Sequence, residues 1–136
     1  MLISHNREKL LNAIIYFVKN TKYLGITKLM KLMYFLDFVH FKQTGKSVTG
    51  LDYYAWKRGP VPKKLWEEIK YIDKYNDLKR TISILGDPKE FQEIKAKIKF
   101  NSEHFSKREL KLLEEIALIF KEAAFIQRKL LSCAFL

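Results

Sequence analysis

Between residues 29 and 41 the chain is apolar almost without interruption; Lys31, Asp37 and His40 are the only fully polar residues, with Tyr34 half-polar. A stretch that is apolar on nearly every side predicts a helix inside the protein rather than on its surface. The helix is expected over 27–42, with the Thr27 hydroxyl as N-cap accepting a bond from an orphan backbone N–H of the first turn. Turned at about 100° per residue, Lys28, Lys31 and Lys42 share one narrow stripe. Asp37 and His40, at i and i+3, fall nearly opposite, beside Met30 and Met33. An unpaired carboxylate there would be costly. The two are therefore expected to hydrogen-bond each other or nearby backbone, tying the helix to the loop that follows. A role in partner binding or chemistry is the alternative, and burial alone does not separate the two.

Before this helix, Leu10, Leu11, Ile14, Phe17 and Val18 lie at helical spacing and predict an amphipathic helix over 6–19, followed by a connector that Gly25 ends. After it, Gly45 and Gly50 bracket a polar turn, and residues 52–57 are short, aromatic and extended in character. Pro60 biases Gly59 away from helix, and Pro62 suits the first turn of a helix over about 62–75. That helix buries Leu65, Trp66, Ile69 and Ile72 and shows Lys63, Glu67, Lys70 and Lys74 to water. Then the period changes. Ile94, Ala96, Ile98 and Phe100 alternate with Lys95, Lys97 and Lys99, the two-residue rhythm of a half-buried strand, with Ile82 and Ile84 as its partner. Ser106 and Glu109 form a capping box that opens the last helix. Its apolar stripes are Leu110, Leu113, Ala117, Phe120 and Ala124, and beside them Leu112, Ile116, Ile119 and Ala123. The expected fold is α+β, mainly α: one compact domain spanning 1–136, about four main helices around a buried central one, and a small antiparallel β element.

Composition adds limits. At 136 residues, with 48% hydrophobic and 14% aromatic residues, the chain is globular rather than disordered. Its longest unbroken apolar run, 13–18, is far short of the roughly 18 residues a membrane span needs. No basic segment followed by a cleavable apolar stretch opens the chain. One cysteine, Cys133, excludes a disulfide framework and suits a reducing compartment, so a cytoplasmic protein without membrane contact is expected. The net charge is +11 and unevenly spread: residues 1–80 hold sixteen Lys/Arg against seven Asp/Glu, residues 81–136 ten against eight. That bias favours an acidic partner, nucleic acid or protein, although a lysine-rich composition has other origins.

Motifs of catalysis or cofactor binding are weak. Gly45, Lys46 and Ser47 have the ending of a phosphate-binding loop, but His40 stands where the first glycine belongs. His5, His40, His104 and Cys133 show no zinc-ligand spacing, and no glycine-rich dinucleotide fingerprint follows a predicted strand. Nothing near Cys133 would activate it as a nucleophile with His40 as base. A small hydrolase using Asp37 and His40 would need a solvent-open pocket beside both. Glu67 with Glu68, and Glu114 with Glu115, belong to ordinary solvated helix faces, and His104 to a solvated loop. No cofactor and no metal are expected. A DNA-binding winged helix fits the basic surplus, yet the helix over 27–42 is too apolar to read bases, and 62–75 interleaves its lysines with Glu67, Glu68 and Asp73. Nucleic acid is therefore not the favoured partner.

The string KLMKLMYFLDFVHF, then TGKSVTGLDYYAWKRGPVP, then the opening of the last helix resemble the Panacea domain, the SocA-like antitoxin family. Lys28, Leu29, Lys31, Leu32, Tyr34, Phe35, Asp37 and His40 match the first part of its pattern. Gly45, Thr49, Gly50, Tyr54, Ala55, Trp56, Gly59, Pro60, Val61 and Pro62 match the second, with Arg58 where tyrosine is common. The resemblance implies an antitoxin, of a kind often carried on prophages or mobile elements, that binds a protein toxin directly, in some members passing it to a protease. It implies no catalysis. The closing residues from about 123 depart from the family pattern. As contact candidates the sequence offers Tyr53, Tyr54, Trp56, Lys57, Arg58, Pro60 and Lys63, because Trp, Tyr and Arg dominate interface energetics. Trp56 is expected in the core in preference to the surface, leaving Lys57, Arg58 and Lys63 as the exposed contacts.

Overall fold

The computed structural model describes residues 5–57 and 59–122. The expectations for Arg58, for Cys133, and for Ala123, Ala124 and the closing residues lie outside these. The order is α1 (His5–Asn20), α2 (Ile26–Thr44), β1 (Tyr54–Trp56), β2 (Gly59–Val61), α3 (Lys63–Lys70), a 3-10 turn (Ile72–Lys74), α4 (Asn76–Thr81), β3 (Ile82–Leu85), β4 (Glu93–Ala96) and α5 (Lys107–Ile119). This is the mainly helical α+β arrangement that the periodicities predict.

Helix α2 is the centre. It packs against α5, α1, α3 and β2, and Leu29, Leu32, Met33 and Leu36 are wholly buried among Ile14, Phe17, Leu113, Ile116 and Phe120. Its start differs from expectation. Gly25 occupies the cap position and Thr27 lies exposed in the first turn. No side chain caps that end, and the Phe91 ring packs there, 2.8 Å from where a Gly25 Cβ would stand, which favours a glycine. Lys28 is buried, its ammonium donating to the Lys22 carbonyl at 2.7 Å, and burial lowers its pKa. The helix ends at Gly45, in the left-handed region at φ +80°, whose N–H caps the Phe41 carbonyl at 2.7 Å.

Within the stretch expected to be extended, β1 pairs with β2 as an antiparallel hairpin, with Trp56 opposite Gly59, Ala55 opposite Pro60 and Tyr54 opposite Val61. Three further expectations are corrected. The helix expected over 62–75 stops at Lys70, Trp66 and Ile72 are half-buried, and the short α4 was not foreseen. The strand expected to reach Phe100 stops at Ala96, because its partner starts at Ile82 and the preceding residue, Thr81, closes a helix. Ile119, expected on an apolar stripe, is exposed with Leu118. The Ser106–Glu109 capping box forms as expected: Glu109 N–H donates to Ser106 Oγ at 3.1 Å and Ser106 N–H to Glu109 Oε1 at 2.7 Å.

Candidate protein-interaction surface

Past Gly45 the chain folds back along α2, and Asp37 holds it there. Asp37 is 3% exposed. Its Oδ1 accepts the Val48 and Thr49 N–H groups at 2.8 Å each. Its Oδ2 accepts the Thr49 hydroxyl and the Tyr53 phenol, both at 2.5 Å, and the phenol also lies 3.0 Å from the Met33 carbonyl. Four donors on two oxygens satisfy a buried carboxylate, which is the condition for tolerating one. Burial first, and the Asp37 charge second, push the Tyr53 phenol far above its ordinary range. One turn on, His40 Nδ1 lies 2.6 Å from the Lys46 carbonyl, so that nitrogen carries the hydrogen. Asp37 and His40 thus bond separate points of the following loop and not each other. A groove of about 420 Å³ over this pin is lined by Asp37, Tyr34, Phe38, Phe41 and Tyr53 but not by His40. The carboxylate is saturated by four donors and the imidazole does not line the groove, so the two do not meet there as a hydrogen-bonded acid–base pair; Asp37 clasps the loop to α2.

The clasped loop leads into the β1–β2 hairpin, and here the candidate contact residues divide. Tyr53 points inward to Asp37. Tyr54, 52% exposed, and Lys63 line a cleft of about 500 Å³ that also involves Asn6, Arg7, Glu67 and Glu68. Trp56 and Pro60 face another way, into a notch of about 150 Å³ completed by Met30, Lys31, Val61 and Trp66. Lys57 is exposed at the hairpin tip. The expectation that Trp56 belongs to the core is overturned: it is 43% exposed and leans edge-on against Trp66, centroids 5.9 Å apart. The hairpin lifts it clear because Gly59, at φ +115°, turns the chain within a few residues.

Sequence reasoning missed two features. Trp66, read as core, is half-buried and forms the floor of the notch, with the Lys70 ammonium 4.9 Å from its ring centroid; their i, i+4 spacing on α3 was the signal. Glu68, read as solvated, is 1% exposed. Its Oε1 accepts from Arg7 at 2.6 Å while Oε2 has no hydrogen-bond partner among the described residues, and the same guanidinium grips Asp77 at 2.7 and 2.9 Å. The bond to Asp77 leads the effects that raise the Arg7 pKa, and the Arg7 bond in turn lowers that of Asp77. His104 is half-buried rather than solvated. Among the described residues no helix is long and apolar enough to cross a membrane. No group of three His, Cys, Asp or Glu among them is gathered as a metal site.

Residues 29–128 match the family model described as Antitoxin SocA-like, Panacea domain, a stretch that takes in the Asp37 clasp, the hairpin and all later elements through α5. No curated protein and no solved structure matches the chain significantly.

Proposed function

The chain belongs to the SocA-like antitoxin, Panacea domain family, and on that premise we propose that it neutralises a cognate protein toxin by binding it directly, without catalysis. The observation that carries this reading is the hairpin: Tyr54, Ala55 and Trp56 are all exposed, on a short sheet that the Asp37 clasp anchors to the central helix. A large aromatic held out on a rigid support is the common anatomy of a protein-binding hot spot. Nucleic acid is the weaker reading on a specific ground. Along α3 and the turn after it the lysines are interleaved with Glu67, Glu68 and Asp73, which would repel a phosphate backbone, and Lys70 and Lys74 already lie over one face of the Trp66 and Tyr71 rings.

Co-expression with the product of the neighbouring gene tests the proposal. Growth arrest by that product, relieved by this chain, together with a complex measured by calorimetry, is the expected result. Lys57→Glu combined with Arg58→Glu is expected to leave folding intact and weaken the complex. Rescue without a complex would overturn direct binding, and a toxin half-life shortened only when this chain is present would assign rescue to a protease.

A further inference from the structure

The notch beside Trp56 has a size and a charge pattern that specify its occupant. At about 150 Å³ it is smaller than the roughly 300–1,000 Å³ of small-molecule pockets. It has room for one side chain. Apart from Thr27 and Lys31, its lining is Met30, Val61, Pro60 and the two indoles, so the side chain that fits it is apolar.

The rim is cationic. Lys31 lines the notch and Lys57 follows Trp56 at the exposed hairpin tip. Lys70 covers Trp66, its ammonium 4.9 Å from the ring centroid. Among the described residues no carboxylate lines the notch. The acids of α3 are turned to its other side: Glu67 and Glu68 line the cleft with Arg7. Asp73, the next acid along the chain, faces Lys79 at 3.3 Å. An apolar socket ringed by lysines is complementary to an apolar side chain flanked by carboxylates, and like charges would be excluded from it.

We propose that this notch receives one large apolar side chain from an acidic segment of a partner protein, the segment's carboxylates meeting Lys57 and Lys70. This deepens the toxin-binding reading, on which it rests for the partner's identity. Trp56 and Trp66, touching edge to face, form one wall against the inserted side chain, and the lysines set orientation and on-rate.

The probe is a short synthetic peptide with one central Phe flanked by Asp and Glu, titrated into the full chain labelled with nitrogen-15. Saturable shifts of both indole N–H signals are expected. Changing the peptide's Phe to Ala, or Trp56 to Ala in the protein, is expected to weaken binding about tenfold or more. Lys57→Glu with Lys70→Glu should abolish the preference for the acidic peptide over its lysine counterpart. In the peptide titration, any of these results overturns the proposal: no indole shift at millimolar peptide, an equal response to the lysine peptide, tighter indole-shifting binding of an oligothymidylate, or indole shifts on dilution that reveal a second copy in the notch. The toxin reading is scored separately by growth. Rescue unaffected by Trp56→Ala and by the double lysine variant puts the toxin elsewhere and removes the notch. Failure of the parent chain to rescue removes the toxin reading and leaves the peptide result standing.

Discussion

Replacing Asp37 by alanine strips four donors of their acceptor at once. The Val48 and Thr49 amides are the expensive ones: both residues are buried and both N–H groups donate to the one Asp37 Oδ1. An unsatisfied buried amide costs about 1–3 kcal/mol, so the two together cost about 2–6. The hydroxyls lose less, since Tyr53 keeps the Met33 carbonyl at 3.0 Å. A loss of about 3–5 kcal/mol is expected, in line with breaking other buried charged networks. Asp37→Asn separates hydrogen bonding from charge. Its one carbonyl oxygen can still accept both amides, and its NH2 can donate to the Thr49 and Tyr53 oxygens, so a loss of only about 1–2 kcal/mol is expected. Urea unfolding followed by tryptophan fluorescence measures both variants, with Trp56 reporting on the hairpin. An alanine variant within about 1 kcal/mol of the parent, or an asparagine variant as damaged as alanine, would refute the clasp.

Tyr53→Phe should be less stable at neutral pH and lose less than the parent in alkali. A phenol whose folded pKa is raised contributes stability below about pH 10, lost as pH rises beyond it, so parallel alkaline unfolding curves would contradict the burial of that hydroxyl. Asp77→Asn should flatten the acid limb of the stability curve. The Arg7-gripped carboxylate contributes stability above about pH 4 that disappears as pH falls further, and an unchanged acid midpoint would remove Asp77 from the ion cluster. Gly86→Ala should destabilise the chain by about 2 kcal/mol or more, because its φ is +118° and a Cβ would stand 2.2 Å from the Phe91 carbonyl oxygen. Amide exchange in β3 and β4 would report the damage, and protection equal to the parent's would show that the turn relaxes.

What could be read from the residues alone was local. The apolar run and its flanking glycines mark α2 to within a few residues, and Ser106 with Glu109 announces α5 because a capping box depends only on neighbours. What escaped depends on distant partners. The stretch NDLKRT has a single apolar residue, Leu78, and reads as a polar connector; Asp77, on that helix, is held by Arg7, seventy residues earlier. The same arginine reverses the reading of Glu68. The alternation at Lys97–Phe100 is real, but a strand needs a neighbour, and the register brings Lys97 to the last residue of α4, whose carbonyl takes its N–H at 2.8 Å. The candidate contacts were legible as types but not as directions: only coordinates send Trp56 and Pro60 to one side, Tyr54 and Lys63 to another, and Tyr53 inside.

Because all four donors to Asp37 come from within sixteen residues downstream of it, the presenting edge is set by a short stretch of chain. On the toxin-binding proposal, an edge already held in its bound shape would give up little conformational freedom on association, so more of each contact's free energy would survive as affinity. Such an edge would also tolerate drift in the rest of the fold. Substitutions in α5 or the β3–β4 hairpin would then alter overall stability while leaving the angle of Trp56 on its support unchanged.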